Sequence, residues 1–508
     1  MKLSSIAGAC VVGLTVVACG KTSTSGGPDA DAGAAGVPSA SGADAGADNG
    51  GSAGAPVAAS PVWLAFENPD GVFAYDTRNY PDPNKAVKLG APPTLDYFFG
   101  GSAPEWSPDG KSVAYVSGDS LVVWDMTGSL PSAAKTLATG LVPSITQRRI
   151  QWSPDSSSLA FTSGEQLLVL DPAAATPVPR QITAHVYYWG FAPQGNGLAY
   201  TDVSGANLIS VTSGVASNLQ KASDMPIAWG WSPDGLHLGM QSDAQDWLLD
   251  VSEATLKSTP VFPTGANPEI QFSFDGTFMS FNGADSGEQI QYLSVADPST
   301  VIPIAAPMEP SGGAPVWHPS RSALLFHSQS ASWFMADLSN PRVKVKAVPV
   351  PASSRPVAWL PNGLSLLFAD FSNTQLSLVD MSVATPVAVP FARQSQPILD
   401  VKPNSTGTAI AFVTTNTLHL MDPARPKDAG TTLPIVDDSS AALGFQWSQD
   451  GRFIFLSLLQ GSLPQPPSQP PITNQTLLLV RADGTVPSPV IPLGPSTEGV
   501  LGNASWPH

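Results

Sequence analysis

Cysteine is almost absent from this sequence. The chain has only two cysteines, Cys10 and Cys19, so residues 20–508 contain none. A folded body without cysteine has no disulfides and must be stabilised by packing alone, which a large core can achieve. The same absence excludes thiolate metal ligands, c-type haem attachment and cysteine nucleophiles from that body.

Charged residues, and basic residues above all, are also scarce. Only 12% of the 508 residues are charged, and 23 lysines and arginines stand against 40 acidic residues, for a formal net charge of −17. An acidic chain without a basic stripe repels phosphate backbones and anionic lipid surfaces. Nucleic acid is therefore not expected as a partner. A cationic partner and a purely solubilising role of the charge both stay open.

Long hydrophobic runs are missing except at the N-terminus. Residues 3–18 are apolar or small, which is the length of a secretory signal and too short for a bilayer span. They end in Val16-Val17-Ala18-Cys19, which resembles the lipobox of bacterial lipoproteins. That resemblance implies a lipoprotein signal peptide over 1–18, lipidation of Cys19 and an envelope location, with Gly20 favouring the outer membrane. An ordinary secretory peptide or an uncleaved apolar start is the alternative.

Residues 19–60 form a linker of mainly glycine, alanine, serine, aspartate and proline, without an aromatic residue. Such a composition cannot bury enough apolar surface to fold. We predict a disordered tether with an end-to-end distance of about 35 Å. The segment Gly50–Gly54 matches the G-x-S-x-G nucleophile motif, but the motif needs a strand before it and a helix after it, so we interpret the match as coincidence.

What the chain has in abundance is a repeat. Residues 106–110, 152–156 and 231–235 read WSPDG, WSPDS and WSPDG, and weaker copies begin at Phe191, Phe272, Trp317, Trp359, Val401 and Trp447. These anchor residues are 39 to 46 residues apart. The tetrapeptide suits a tight turn, and each turn is followed by two β-rich runs, the second ending in aspartate in several copies. An all-strand period of about 40–45 residues predicts the blades of an all-β propeller.

The two ends of the repeat region match each other. Residues 62–66 and 72–76 resemble the second and third strands of a unit that lacks its first, and a fragment at Trp506 resembles that first strand. A blade shared between the termini would close the ring and remove its open edges. We therefore predict about ten four-stranded units over residues 61–508. The matching ends favour one closed ring over two tandem rings.

The phrase W-S-P-D-G, followed by an "(I/V)-A-(Y/F)" strand and a strand ending in aspartate, resembles the TolB-type, WD40-like propeller repeat. The resemblance covers about residues 61–508, and it implies the propeller fold. The α/β domain of TolB and the hydrolase domain of propeller peptidases have no counterpart in this sequence. Membership in a particular pathway is therefore not implied.

Histidine and proline offer the remaining candidates for function. His185, His237 and His327 could converge on the central channel and hold a metal, as in propeller lyases that resemble this repeat, but scattered structural histidines are the favoured interpretation. The proline-rich stretch 463–471 predicts a protruding loop that could dock a partner.

The sequence therefore predicts a lipid-anchored, non-catalytic envelope propeller that binds a protein or a glycan. No catalytic residue, metal site or cofactor is predicted, and the binding residues stay unassigned. The alternative function is a metal-dependent polysaccharide lyase or hydrolase that uses the propeller channel.

Overall fold

The computed structural model describes residues 62–68, 70–92, 104–128, 134–142, 150–211, 216–221, 226–242, 245–251, 257–263, 270–282, 290–304, 315–327, 332–339, 343–350, 353–383, 385–425, 430–434, 440–460, 474–482, 491–497 and 504–506. The signal peptide, Cys19, the linker 19–60 and the proline-rich stretch 463–471 lie outside these residues. No helix in the described part of the chain is long and apolar enough to cross a membrane.

Forty strands form ten four-stranded antiparallel sheets, which we call blades 1 to 10 in chain order. The order of strands in each sheet is first, second, third, fourth, and in blade 1 the first strand comes from the C-terminus. Blades 1 to 5 consist of β40 (Ala504–Ser505), β1 (Trp63–Asn68), β2 (Gly71–Asp76) and β3 (Val87–Gly90); β4 (Glu105–Trp106), β5 (Ser112–Ser117), β6 (Ser120–Asp125) and β7 (Lys135–Ala138); β8 (Ile150–Trp152), β9 (Leu159–Ser163), β10 (Gln166–Leu170) and β11 (Arg180–Thr183); β12 (Tyr188–Phe191), β13 (Gly197–Asp202), β14 (Gly205–Ser210) and β15 (Ala216–Lys221); β16 (Pro226–Trp231), β17 (His237–Ser242), β18 (Gln245–Asp250) and β19 (Lys257–Pro263).

Blades 6 to 10 repeat the same order without interruption. They consist of β20 (Gln271–Phe272), β21 (Phe278–Asn282), β22 (Ile290–Ser294) and β23 (Asp297–Pro303); β24 (Val316–Trp317), β25 (Ala323–His327), β26 (Trp333–Asp337) and β27 (Lys344–Val348); β28 (Ser354–Trp359), β29 (Ser365–Asp370), β30 (Gln375–Asp380) and β31 (Ala388–Arg393); β32 (Asp400–Pro403), β33 (Ile410–Val413), β34 (Thr417–Met421) and β35 (Thr431–Pro434); β36 (Ser440–Trp447), β37 (Phe453–Gln460), β38 (Asn474–Arg481) and β39 (Ile491–Thr497). Two short 3₁₀ helices, Thr77–Asn79 and Pro83–Lys85, join β2 to β3.

The shared blade is confirmed. Strand β40 pairs antiparallel with β1, with Ser505 opposite Ala65 and Ala504 opposite Phe66. Trp506 lies in the apolar cluster beside them. The C-terminus therefore supplies the first strand of the sheet that the N-terminal strands begin.

Ten hydrophobic clusters of described residues fill the spaces between neighbouring blades, one at each interface. Between blades 1 and 2, for example, Trp63 packs in one cluster with Trp106 and Tyr115. Between blades 10 and 1, Leu479 packs in one cluster with Leu64. Because the series of interfaces returns to blade 1, the ten blades form one closed ring.

The repeat has a constant register, which also corrects one anchor. Trp106 and Trp447 pair with the residue seven positions later in the second strand, as the other anchors do. In blade 9 the residue with this pairing is Pro403, opposite Ile410. The sequence placed that anchor two residues too early, at Val401, because the turn of blade 9 has no Ser-Pro-Asp to align.

Candidate binding face

The antiparallel order gives the ring two different faces. The turns between first and second strands and the connections between third and fourth strands lie on one face, which we call the turn face. The hairpins between second and third strands and the connections from blade to blade lie on the other, which we call the loop face. The two faces differ in the hydrogen bonds that their side chains form and in the kind of apolar side chain that they expose.

On the turn face, the serine, aspartate and glycine of the repeated phrase form hydrogen bonds within their own turn. Ser107 Oγ donates to Asp109 Oδ1 at 2.6 Å and accepts from the backbone N–H of Ser112 at 2.9 Å. Gly110 closes the turn with a bond to the Ser107 carbonyl at 2.8 Å, at a φ of 69° that favours glycine. The same serine bonds recur in blades 3, 5, 6 and 10.

Neighbouring turns are also bonded to each other. At five interfaces a group of one turn hydrogen-bonds to the turn of the next blade, at 2.6 to 3.2 Å. These bonds join Asp109 to Ser156, Gln194 to Pro233, Asp275 to Ser322, His318 to Gly363, and Ser405 to Gln449. The turn face is therefore scaffold, built from the residues that recur.

The aspartates that end third strands belong to the same scaffold. Asp125 Oδ1 accepts from the N–H of Thr127 at 2.8 Å, and Asp380 Oδ1 accepts from the N–H of Ser382 at 2.9 Å. Asp76, Asp171, Asp337 and Asp422 make the same bond two residues on. The bond from Thr127 lowers the pKa of Asp125 below its usual value, because it favours the charged form. These aspartates therefore have a structural role at the start of the connection to the fourth strand.

On the loop face, the connections between blades are held by the hairpins on either side. The N–H of Leu141 donates to the carbonyl of Asp119 in the hairpin of blade 2, and the N–H of Gly164 in the hairpin of blade 3 donates to the carbonyl of Val142. The N–H of Val186 likewise donates to the carbonyl of Glu165 at 2.8 Å. Backbone bonds therefore hold these connections to the hairpins of both neighbouring blades.

The exposed aromatic side chains mark the loop face. Among the described residues, the exposed aromatics are Tyr187 at 43%, Tyr188 at 49% and Phe371 at 65%, and all three lie on this face. The large apolar side chains that the described turn face exposes are all aliphatic: Val178, Leu236, Leu364, Val383 and Val387. Exposed aromatics are enriched at protein interfaces and rare elsewhere on surfaces, so the loop face is the candidate binding face.

One group of exposed side chains lies where blades 3 and 4 meet. We call Glu165, His185, Tyr187, Tyr188 and Val203 the blade 3–4 rim. His185 Nδ1 donates to Glu165 Oε2 at 2.6 Å, which links the connection to the hairpin of blade 3. The N–H groups of Tyr187 and Tyr188 donate to Thr201 in the second strand of blade 4. The rim is thus anchored to both blades.

A second group lies where blades 8 and 9 meet. Phe371 is in the hairpin of blade 8, and Leu399, in the connection to blade 9, is also exposed. Arg355 donates to Asn373 Oδ1 at 3.0 Å in the same hairpin. Burial raises the pKa of Asp370, but hydrogen bonds from Ser372, Gln375 and Thr374 outweigh it and lower the value overall. The hairpin of the second group therefore contains the carboxylate of Asp370 and accepts a hydrogen bond from the guanidinium of Arg355.

The three candidate metal-binding histidines lie in different parts of the ring. His185 is in the connection between blades 3 and 4, His327 ends the second strand of blade 7, and His237 begins the second strand of blade 5, on the turn-face side. The described residues contain no group of three histidine, cysteine or acidic side chains that could hold a metal ion.

The sequence did not predict the rim because the repeat is defined by the residues that recur, and the rim residues differ between copies. Tyr187 and Tyr188 precede the anchor Phe191 by four and three residues, where the unit of blade 3 has Arg148 and Arg149. A comparison of these two variable positions across the copies would have been the available signal.

No family model matches the chain, and no curated protein matches it. Among solved structures, a eukaryotic initiation factor is similar over 88% of this chain and 98% of its own, at 10% identity and a TM-score of 0.54. The C-terminal WD40 domain of Sif2 is similar over 62% of this chain and 93% of its own, at 13% identity and a TM-score of 0.35. At 10% identity, the similarity to the initiation factor shows a shared fold alone.

Proposed function

We propose that this protein is a lipid-anchored β-propeller of the bacterial cell envelope that binds a protein or glycan partner through its loop face, without catalysis. The observation that carries the binding role is the difference between the faces. On the turn face, the recurring polar groups form hydrogen bonds within and between turns, whereas the exposed aromatic side chains of the described chain lie on the loop face.

Anchoring is supported by the sequence that precedes Cys19. We expect Cys19→Ser to release the protein from membranes into the soluble fraction, because the variant lacks the sulfur that would receive the lipid. Fractionation of cells followed by immunoblotting measures this, with Cys10→Ser as the matched control that stays bound. Continued membrane attachment of Cys19→Ser would contradict the anchor.

Binding through the loop face is tested by capture from detergent-solubilised envelopes after crosslinking. A triple variant, Tyr187→Ala, Tyr188→Ala and Phe371→Ala, should recover far less of the specific partner than the natural chain. The control removes exposed apolar side chains from the turn face instead, with Leu236→Ala and Leu364→Ala. Recovery of no specific partner by the natural chain, or an equal loss with the turn-face control, would refute the proposal.

A further inference from the structure

We propose that the blade 3–4 rim binds a partner segment in which lysine or arginine side chains are clustered. This inference rests on the proposed function, which it deepens by naming the chemistry of the partner. Three features carry it: two exposed tyrosines, exposed carboxylates in three hairpins, and the net charge, counted in sequence, of the segments whose ends lie on the loop face.

The two tyrosines are consecutive in the chain, both are exposed, and hydrogen bonds fix their backbone. The N–H of Tyr187 donates to the Thr201 carbonyl at 2.9 Å, and the N–H of Tyr188 donates to Thr201 Oγ1 at 3.1 Å. The next residue, Trp189, is buried in the cluster between blades 3 and 4. Aromatic faces attract ammonium and guanidinium groups, more strongly for arginine because its planar group also stacks.

The hairpins between second and third strands carry a carboxylate in three successive blades, the last of which contributes to the rim. Asp70, Asp119 and Glu165 each occupy the second position of a two-residue hairpin, in blades 1, 2 and 3. All three are exposed, and within the described residues none of them forms an ion pair with lysine or arginine. Glu165 is bonded to His185 instead. Among the described residues, exposed carboxylates therefore lie on the loop face of blades 1 to 3, and one of them, Glu165, belongs to the rim.

The acidic character extends over the connecting segments whose ends lie on the loop face. In sequence these segments contain thirteen aspartates and glutamates, and their only basic residues are Arg148 and Arg149. The segments whose ends lie on the turn face contain eleven acidic and eight basic residues. By these sequence counts the net charge is −11 for the segments whose ends lie on the loop face and −3 for the segments whose ends lie on the turn face.

This combination selects among possible occupants. Complementary potentials steer a partner toward a charged face, and like charges on a partner are repelled. An acidic glycan or an acidic protein segment would meet that repulsion. A neutral glycan could stack on the tyrosines and donate hydroxyl hydrogen bonds to the carboxylates, but it has no positive charge to complement theirs. A basic segment uses both features.

The probe is a fluorescein-labelled peptide of alternating arginine and glycine, titrated with the detergent-solubilised full chain and followed by fluorescence anisotropy. We expect Tyr187→Ala with Tyr188→Ala to weaken binding roughly tenfold, and Glu165→Gln to weaken it severalfold. Two controls should leave the Kd unchanged: Leu236→Ala, which removes an exposed apolar side chain from the turn face of blade 5, and Asp297→Asn, which removes an exposed charge from the turn face of blade 6. Circular dichroism checks that each variant is folded.

The inference is overturned if the arginine peptide does not bind, if a glutamate–glycine peptide of equal length binds as well, or if the rim variants leave the Kd unchanged. Displacement of the peptide by a soluble neutral glucan with the same dependence on the tyrosines would assign the rim to glycan instead. Failure of the peptide to bind while partner capture still depends on the loop face contradicts this inference and leaves the proposed function standing.

Discussion

His318 occupies the position that serine holds in the turns of most blades. Its backbone N–H donates to the carbonyl of Ala323, as Ser107 does to Ser112. Its Nδ1 accepts from the N–H of Ser320 at 3.1 Å, so Nε2 carries the hydrogen that is donated to the Gly363 carbonyl at 2.7 Å. Burial, aided by the charge of Arg321, lowers the pKa of His318 to about 4. The imidazole is therefore neutral in the folded protein.

This histidine should make stability depend on pH. In the unfolded chain its pKa returns to about 6.5, so the unfolded state binds more protons between that value and about 4. Folding free energy is thus lost as pH falls through this window, by about 2–3 kcal/mol in total. We expect His318→Ser to flatten the pH dependence of the urea midpoint between pH 6.5 and 4. An unchanged slope would contradict the role of His318.

A substitution of Gly363 provides a second test of the contact between His318 and Gly363. Its φ is 66°, and an added Cβ would lie 2.7 Å from His318 Cε1. Gly140 has a φ of 70° but nothing within 4 Å of an added Cβ. Gly140→Ala should therefore cost about 1–2 kcal/mol from backbone strain alone, and Gly363→Ala clearly more because the clash adds to it. Equal losses in urea unfolding would show that the contact does not matter.

At the scale of elements, a strand of only two residues holds the ring closed. Strand β40 has two residues, and Trp506 beside it is buried with Leu64, Phe66 and Phe455. Every other first strand continues into its own blade through a covalent turn, whereas β40 is joined to blade 1 only by pairing and packing.

We expect Trp506→Ala to cost about 3–5 kcal/mol and to open the ring at this one interface. Hydrogen exchange should accelerate in β1 and β39, on either side of the closure. Trp359→Ala, which removes an anchor between blades 7 and 8, is the matched control, and its exchange should change locally there. Unchanged protection of β1 and β39 in Trp506→Ala would refute the closure role.

The elements themselves were largely predictable, for a local reason. Turn residues and alternating apolar runs encode strands within a single unit, so the sequence predicted both the blades and the shared blade at the termini. Where local signals weaken, prediction failed: Asn404 and Gly407 close the turn of blade 9 in place of Ser-Pro-Asp-Gly, and the anchor was misplaced by two residues.

At the scale of the whole molecule, the aspartates of the turn face predict sensitivity to acid. Hydrogen bonds from Ser382 lower the pKa of Asp380, and the Arg425 side chain lowers that of Asp422. A carboxyl whose pKa is lower when folded stabilises the protein above its unfolded pKa, and this stability is lost as pH falls below it.

Stability should therefore fall in two stages, a shallow one from pH 6.5 to 4 caused by His318 together with His419, whose pKa is also lowered by burial, and a steep one below about pH 4 caused by the aspartates. Urea midpoints measured across pH distinguish the stages. Asp380→Asn, which cannot ionise, should be less stable at neutral pH and should show a smaller acid loss. A variant with an unchanged acid slope would contradict the contribution of Asp380.

The sequence by itself determined the repeat, the strands, the turn chemistry and the matching ends, because each depends on residues close together in the chain. Only the tertiary structure decided that the ten blades form one ring, that Pro403 is an anchor, and that Tyr187, Tyr188 and Phe371 are exposed on one face. Burial and neighbours across blades depend on how distant segments pack, and no local pattern encodes them.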